Sequence, residues 1–182
     1  MRDDRPSLDL PSIEPGQIWL IEHDPGEAFC RFDGAVLGRA NVVLYDRALA
    51  PLVAQALPIG AYAEPLPGAA PAAGPAIAPR ALDFAAEGWI VVQLVAASPA
   101  WRARLPIAPP ALTQAQRDGA LPVRVITKAA GDRHHEIQAS LGDLAELVHE
   151  AGADERLSIV FGPFLAHYPL QARAFTANGL AG

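Results

Sequence analysis

Three short runs, at 18–21, 41–45 and 89–95, are mostly apolar and do not alternate. That is the pattern of a strand buried on both faces, as in a parallel sheet. Between the first two, 28–39 spaces Phe29, Phe32, Val36 and Leu37 at helical intervals, and 49–57 predicts a second helix stopped by Pro58 and Gly60. A third helix is expected over 80–87, turning at Gly88 into the run at 89–95 as a crossover feeding a parallel strand. From Leu121 the pattern repeats: a strand at 123–127, an edge strand near 136–139, a helix over 141–151 and a strand at 157–161. Ser140 stands where an N-cap belongs, and Leu141, Leu144 and Val148 form the helix's apolar stripe. The order predicts an α/β fold with a mostly parallel sheet flanked by helices.

The rest of the chain lacks a period. Residues 1–15 carry Pro6, Pro11 and Pro15 and read as a loose N-terminal arm. The stretch 65–79 alternates proline with alanine and glycine, whose small side chains bury little surface, so it reads as a linker. Residues 96–110, with Pro99, Pro106, Pro109 and Pro110, are loop-like, and 163–182 form a tail with Phe164, Tyr168 and Phe175 but no period. One α/β domain over 16–162 is the expected organisation.

Composition narrows the classes. At 182 residues, with 51% hydrophobic and 19% charged side chains, a compact domain would bury roughly 70% of the surface its unfolded chain exposes. The net charge of −6, without a basic stripe, disfavours nucleic acid. No apolar run approaches the roughly 20 residues of a membrane span. Cys30 is the single cysteine and has no internal disulfide partner, and residues 1–6 hold no apolar signal segment. A cytoplasmic protein is expected.

The chemistry concentrates at the ends of the first strands. After 16–21 comes the loop Glu22-His23-Asp24-Pro25-Gly26-Glu27, then a helix, then a strand ending in Tyr45-Asp46, which continues as Arg47-Ala48-Leu49-Ala50-Pro51. Further on, Ala85-Ala86-Glu87-Gly88 and Val91-Val92-Gln93-Leu94 lead into Ala96-Ala97-Ser98-Pro99. This arrangement resembles the tetrapyrrole methylases, in particular the S-adenosylmethionine-dependent uroporphyrinogen-III C-methyltransferases. Those open with a strand, a Gly-x-Gly-Pro-Gly-Asp loop, a helix and a strand ending in Tyr-Asp, and carry a second loop, Gly-Gly-Asp-Pro. The C-terminal segments 121–126, 140–144 and 158–162 resemble the family's last two strands and the helix between them. Roughly two thirds of the chain is covered.

The resemblance implies a cofactor site at Asp24, Pro25, Gly26, Asp46, Ser98 and Pro99, if the ancestral site is retained. Pro25, Gly26 and Pro99 would set loop geometry, and Asp46 would contact the cleft. Two of the first loop's three glycines are replaced, by Glu22 and Asp24, and the second loop's glycines and acid by Ala96, Ala97 and Ser98. Only about twenty residues separate Pro99 from Leu121, where the family has a long insert forming much of its substrate cleft. The expectation is therefore a degenerate, reduced methylase-like protein: no catalytic residue, no cofactor, and a role as a binding or accessory module, with siroheme- or cobalamin-type metabolism as the candidate setting. It implies a homodimer or a complex with another protein, and a tetrapyrrole as candidate ligand. The alternative is an active S-adenosylmethionine-dependent C-methyltransferase whose cleft a dimer partner completes; a third reading is a purely structural partner of a full-length enzyme.

Other candidates have plainer readings. His134-His135-Glu136 has metal-ligand chemistry, but neighbours on a strand point to opposite faces, so a solvated edge is expected. His23-Asp24 could act as an acid/base pair; a turn or capping role at the next helix is expected instead. Cys30 reads as a structural thiol, and Asp143, Glu146, His149 and Glu150 as the wet face of a helix. Trp19 and Trp89 are expected in the core; Trp101, in a proline-rich loop, is open as part of a binding surface.

Overall fold

The structure is a computed structural model that describes residues 12–67, 77–98, 102, 121–128, 134–151 and 155–163. Its strands are β1 Ile18–His23, β2 Val42–Tyr45, β3 Tyr62–Pro65, β4 Val91–Ala96, β5 Pro122–Lys128, β6 His134–Ser140 and β7 Arg156–Phe161. The helices are α1 Arg31–Leu37, α2 Ala50–Ala56, α3 Pro79–Ala86 and α4 Leu144–Glu150, with a 3-10 turn at Arg47–Leu49 before α2. The strands form one sheet in the order β3-β2-β4-β1-β7-β5-β6.

The α/β architecture is the expected one, but the sheet is parallel only in its first half. β3, β2, β4 and β1 pair in parallel. β7 then lies antiparallel to both β1 and β5, and β5 antiparallel to β6. The physical reason lies in the last connections. β5 and β6 are sequential antiparallel neighbours, and α4 carries the chain from β6 over β5 so that β7 fills the gap beside β1. β6 is the edge strand expected from the sequence.

Alternate positions of each strand feed two cores. On one face Ile18, Leu20, Val91, Val95, Val125 and Ile159 pack beneath Leu82 of α3 and Leu144 of α4. On the other, Trp19, Ile21, Val43, Leu94 and Val160 pack beneath Phe32 and Val36 of α1 and Val53 of α2. β1, β2 and β4 are buried on both faces, which is why they read as largely apolar runs; the buried polar Gln93 of β4 accepts the N–H of Ala78 at 2.9 Å.

Several expectations need correction. β3 was not anticipated: Tyr62 and Pro65 are exposed, and the strand is held by β2, through Tyr62 N donating to Asn41 O (2.9 Å) and Leu66 N to Tyr45 O (2.7 Å), rather than by an apolar pattern. Trp89 is 46% exposed instead of buried, because it precedes β4 in the turn at Gly88. Ser140 does not cap α4. Its hydroxyl and its N–H both donate to Asp143 Oδ2 (2.6 and 3.2 Å), so a turn intervenes and the helix begins at Leu144. Most of the arm, most of the linker, the tail, Pro99 and Trp101 lie outside the described residues.

Candidate functional site

Parallel strands deliver their carboxyl ends to one edge of a sheet, where α/β proteins place ligands. Here Glu22 lies beside Val95, His23 beside Ala96, and Tyr45 beside Leu94. The three ends are tied together: Ala97 N donates to His23 O (2.9 Å), Asp46 N to Leu94 O (3.0 Å), and Ala96 N to Asp46 Oδ2 (2.8 Å). Asp46 is thus a brace between β2 and β4. Ser98, half-buried, follows at the end of β4.

The loop after β1 is a compact turn in which Gly26 N donates to Asp24 Oδ1 (2.9 Å) and Glu27 N to Asp24 O (3.1 Å). The nearest atom to a Cβ added at Gly26 is Asp24 Oδ1 at 3.4 Å, ordinary contact, and its φ is not positive. The one glycine retained in this loop is therefore not required by its backbone. Pro25 is exposed at the loop's tip.

Glu22 and His23 point to opposite faces. Glu22, 2% exposed, receives Arg102 through Nε (3.1 and 3.2 Å to its two oxygens) and Nη2 (2.8 Å to Oε2), and also accepts the N–H of Leu157 at 3.3 Å. Arg102 Nη2 also donates to Glu155 O. A buried carboxylate is tolerated only with such donors, since an unpaired one would be strongly destabilising.

On the other face a second polar group sits beneath α1. His23 Nε2 donates to Glu27 O (3.1 Å), which leaves Nδ1 towards Asp33 Oδ2 at 3.7 Å. Lys128 Nζ donates to Asp33 Oδ1 at 2.7 Å. Burial alone would push the Asp33 carboxyl up, but the neighbouring His23 ring and the charge and hydrogen bond of Lys128 outweigh it and hold the carboxyl below its ordinary value. Arg156, directly opposite Lys128 on β7, reaches Asp24 Oδ2 at 3.3 Å and Glu27 Oε1 at 3.5 Å. Its Nε and the hydroxyl of Ser158, which is fully buried, have no hydrogen-bond partner among the described residues.

Cys30 is the N-cap of α1, its sulfur accepting the N–H of Asp33 at 3.4 Å. Burial, then the negative charge of Asp33, pushes its thiol up, the opposite of what a nucleophile needs. The expected structural thiol and turn-forming Asp24 are thus what the geometry shows. His134 packs against Phe32 (ring centroids 5.0 Å) while His135 is exposed on the opposite face, and no cluster among the described residues is placed to hold a metal.

The structure brings Asp24, Pro25, Gly26, Asp46 and Ser98 to the same end of the sheet; Pro99 lies outside the described residues. Sequence reasoning did not find Arg102, Asp33, Lys128 or Arg156 as parts of this end. Asp33 carried a faint signal, being a charge beside the buried Phe32, Val36 and Leu37 of α1; Lys128 shares its face of β5 with Arg124 and carried none. Arg102, 80 residues from Glu22, carried none.

No known family model matches the chain, and no curated protein matches it. Among the solved structures similar to it are tetrapyrrole methyltransferases. One is a cobalamin biosynthetic enzyme, cobalt precorrin-4 methyltransferase, at 17% identity and a TM-score of 0.33, covering 80% of this chain and 94% of that one. Another is uroporphyrin-III C-methyl transferase from Thermus thermophilus complexed with S-adenyl homocysteine, at 15% identity and a TM-score of 0.32, covering 80% and 91%. The native form of the same Thermus thermophilus enzyme gives 15% identity and 0.30, covering 80% and 97%. Among the described residues no helix is long and apolar enough to cross a membrane.

Proposed function

We propose that this chain is a methylase-like protein that does not transfer methyl groups and serves as a binding or accessory module, working with a second copy or another protein. The observation that carries the reading is the buried Glu22 carboxylate at the end of β1, already bonded by Arg102 and Leu157 N–H. The loop resemblance puts a glycine of the cofactor loop at this position. Glycine there would leave room for a ligand against the backbone. Glu22 fills that room with a side chain and a negative charge, which would repel the carboxylate of S-adenosylmethionine in a cleft. Carboxylates at this end that could otherwise contact a ligand are engaged within the protein: Asp46 with Ala96 N, Asp24 and Glu27 with Arg156. The residues at this end do not fit the cofactor.

Thermal unfolding of the purified chain with S-adenosylmethionine and S-adenosylhomocysteine at millimolar excess tests this reading. A ligand at a hundredfold excess over Kd adds ~2.7 kcal/mol to the native state, enough to raise the midpoint by several degrees. No shift is expected. A clear shift with either compound would contradict the proposal and favour an active methyltransferase.

A further inference from the structure

Three N–H donors from two distant parts of the chain converge on one buried carboxylate. The Nε and Nη2 of Arg102 form a side-on fork to the two oxygens of Glu22. The third donor, Leu157 N, comes from the start of β7. A guanidinium fork joined to a backbone N–H is a donor set suited to planar oxyanions. Each component also has an anchor other than Glu22: Arg102 donates to Glu155 O, and Leu157 lies in the ladder opposite Thr127 of β5. The Glu22 backbone is fixed beside Val95 of β4. Shortening the Glu22 side chain would therefore leave the donors standing around a hole of carboxylate size, and buried donors without an acceptor are costly.

We propose that Arg102 and the amino end of β7 form a carboxylate-binding site whose ligand is supplied by the chain itself, the side chain of Glu22. The ligand class is a small carboxylate, of which formate and acetate are the simplest free members. In the intact protein the site is filled from within, so free carboxylates find no place there. With the side chain removed, the site accepts them. The inference concerns only the donors around Glu22 and stands whether or not the methylase-like reading holds.

The test is thermal unfolding of the intact chain and of Glu22→Gly and Glu22→Ala in about 0.2 M sodium formate, acetate or chloride. Formate, and less strongly acetate, is expected to raise the midpoints of both variants by about 3 °C or more over chloride while leaving the intact chain unmoved. Adding Arg102→Met to Glu22→Ala is expected to abolish that rise. An equal response in the intact chain, no response in the variants, or a response that survives Arg102→Met would overturn the proposal. If the single variants do not fold in chloride, recovery on dilution from urea into each salt gives the same answer: recovery in formate supports the site, and recovery in none overturns it.

Discussion

The two halves of the sheet bury their surface differently. β2, β4 and β1 are buried on both faces, and helices cover each face: α3 on one side, α1 and α2 on the other. β5 alternates instead. Val123, Val125 and Leu121 feed the core under α4, while Arg124 and Lys128 turn to the opposite face, where Arg124 lies over Trp19 at 5.6 Å and Lys128 meets Asp33. The seam between the halves, β1 against β7, carries both designs, apolar up to Ile21 opposite Ser158 and charged beyond. Doubly covered parallel strands can be apolar on both faces, whereas the antiparallel half carries charges on the face that meets α1, where burial requires that they be paired. The polar chemistry of this protein gathers where the second design meets the carboxyl end of the first.

The largest effect separating the halves should come from an apolar truncation in the parallel one. Leu94, fully buried in β4, has neighbours on both sides, so Leu94→Ala is expected to cost about 3–4 kcal/mol in urea unfolding through lost contacts and a cavity. In the other half a charge should matter as a volume does in the first. Lys128→Met, which takes from buried Asp33 its only close cationic partner among the described residues, is expected to cost about 3 kcal/mol, and adding Asp33→Leu to recover most of it. The same pair predicts an acid limb. A carboxyl held below its ordinary value of 3.8 contributes stability that is fully present above that pH and is lost as pH falls through the lower folded value. Asp33→Asn should flatten this part of the pH profile, whereas Leu94→Ala should lower the whole profile without changing its shape. If Lys128→Met proved neutral, the contrast between the halves would break.

The legibility of the sequence follows the same division. Each strand of the doubly covered half except β3 shows in the sequence, because burial on both faces leaves few polar positions to interrupt the run, Gln93 of β4 being one. β3 has its outer positions exposed and is held by backbone bonds to β2, which side-chain patterns do not record. α4 was placed three residues early because Ser140 has the chemistry of a cap, and the structure spends it on Asp143 instead. At the candidate site, the loop 22–27 and Asp46 were visible by their motifs. Their partners Arg102, Lys128 and Arg156 were not, because ion pairs joining residues 80 to 132 positions apart leave no local signature. The sheet's mixed direction was hidden for a related reason: periodicity reports burial, and the neighbour that β7 selects is a matter of tertiary packing.

The carboxyl end of β1 is closed by an internal ion pair, Glu22 with Arg102. A double-mutant cycle of Glu22→Gln and Arg102→Met, read by urea unfolding, tests it most directly. The account predicts a coupling of about 2 kcal/mol, with each single variant more damaging than its share of the double. Additive effects, within about 0.5 kcal/mol, would mean that the two side chains do not depend on each other and that this end of the sheet is open to a ligand.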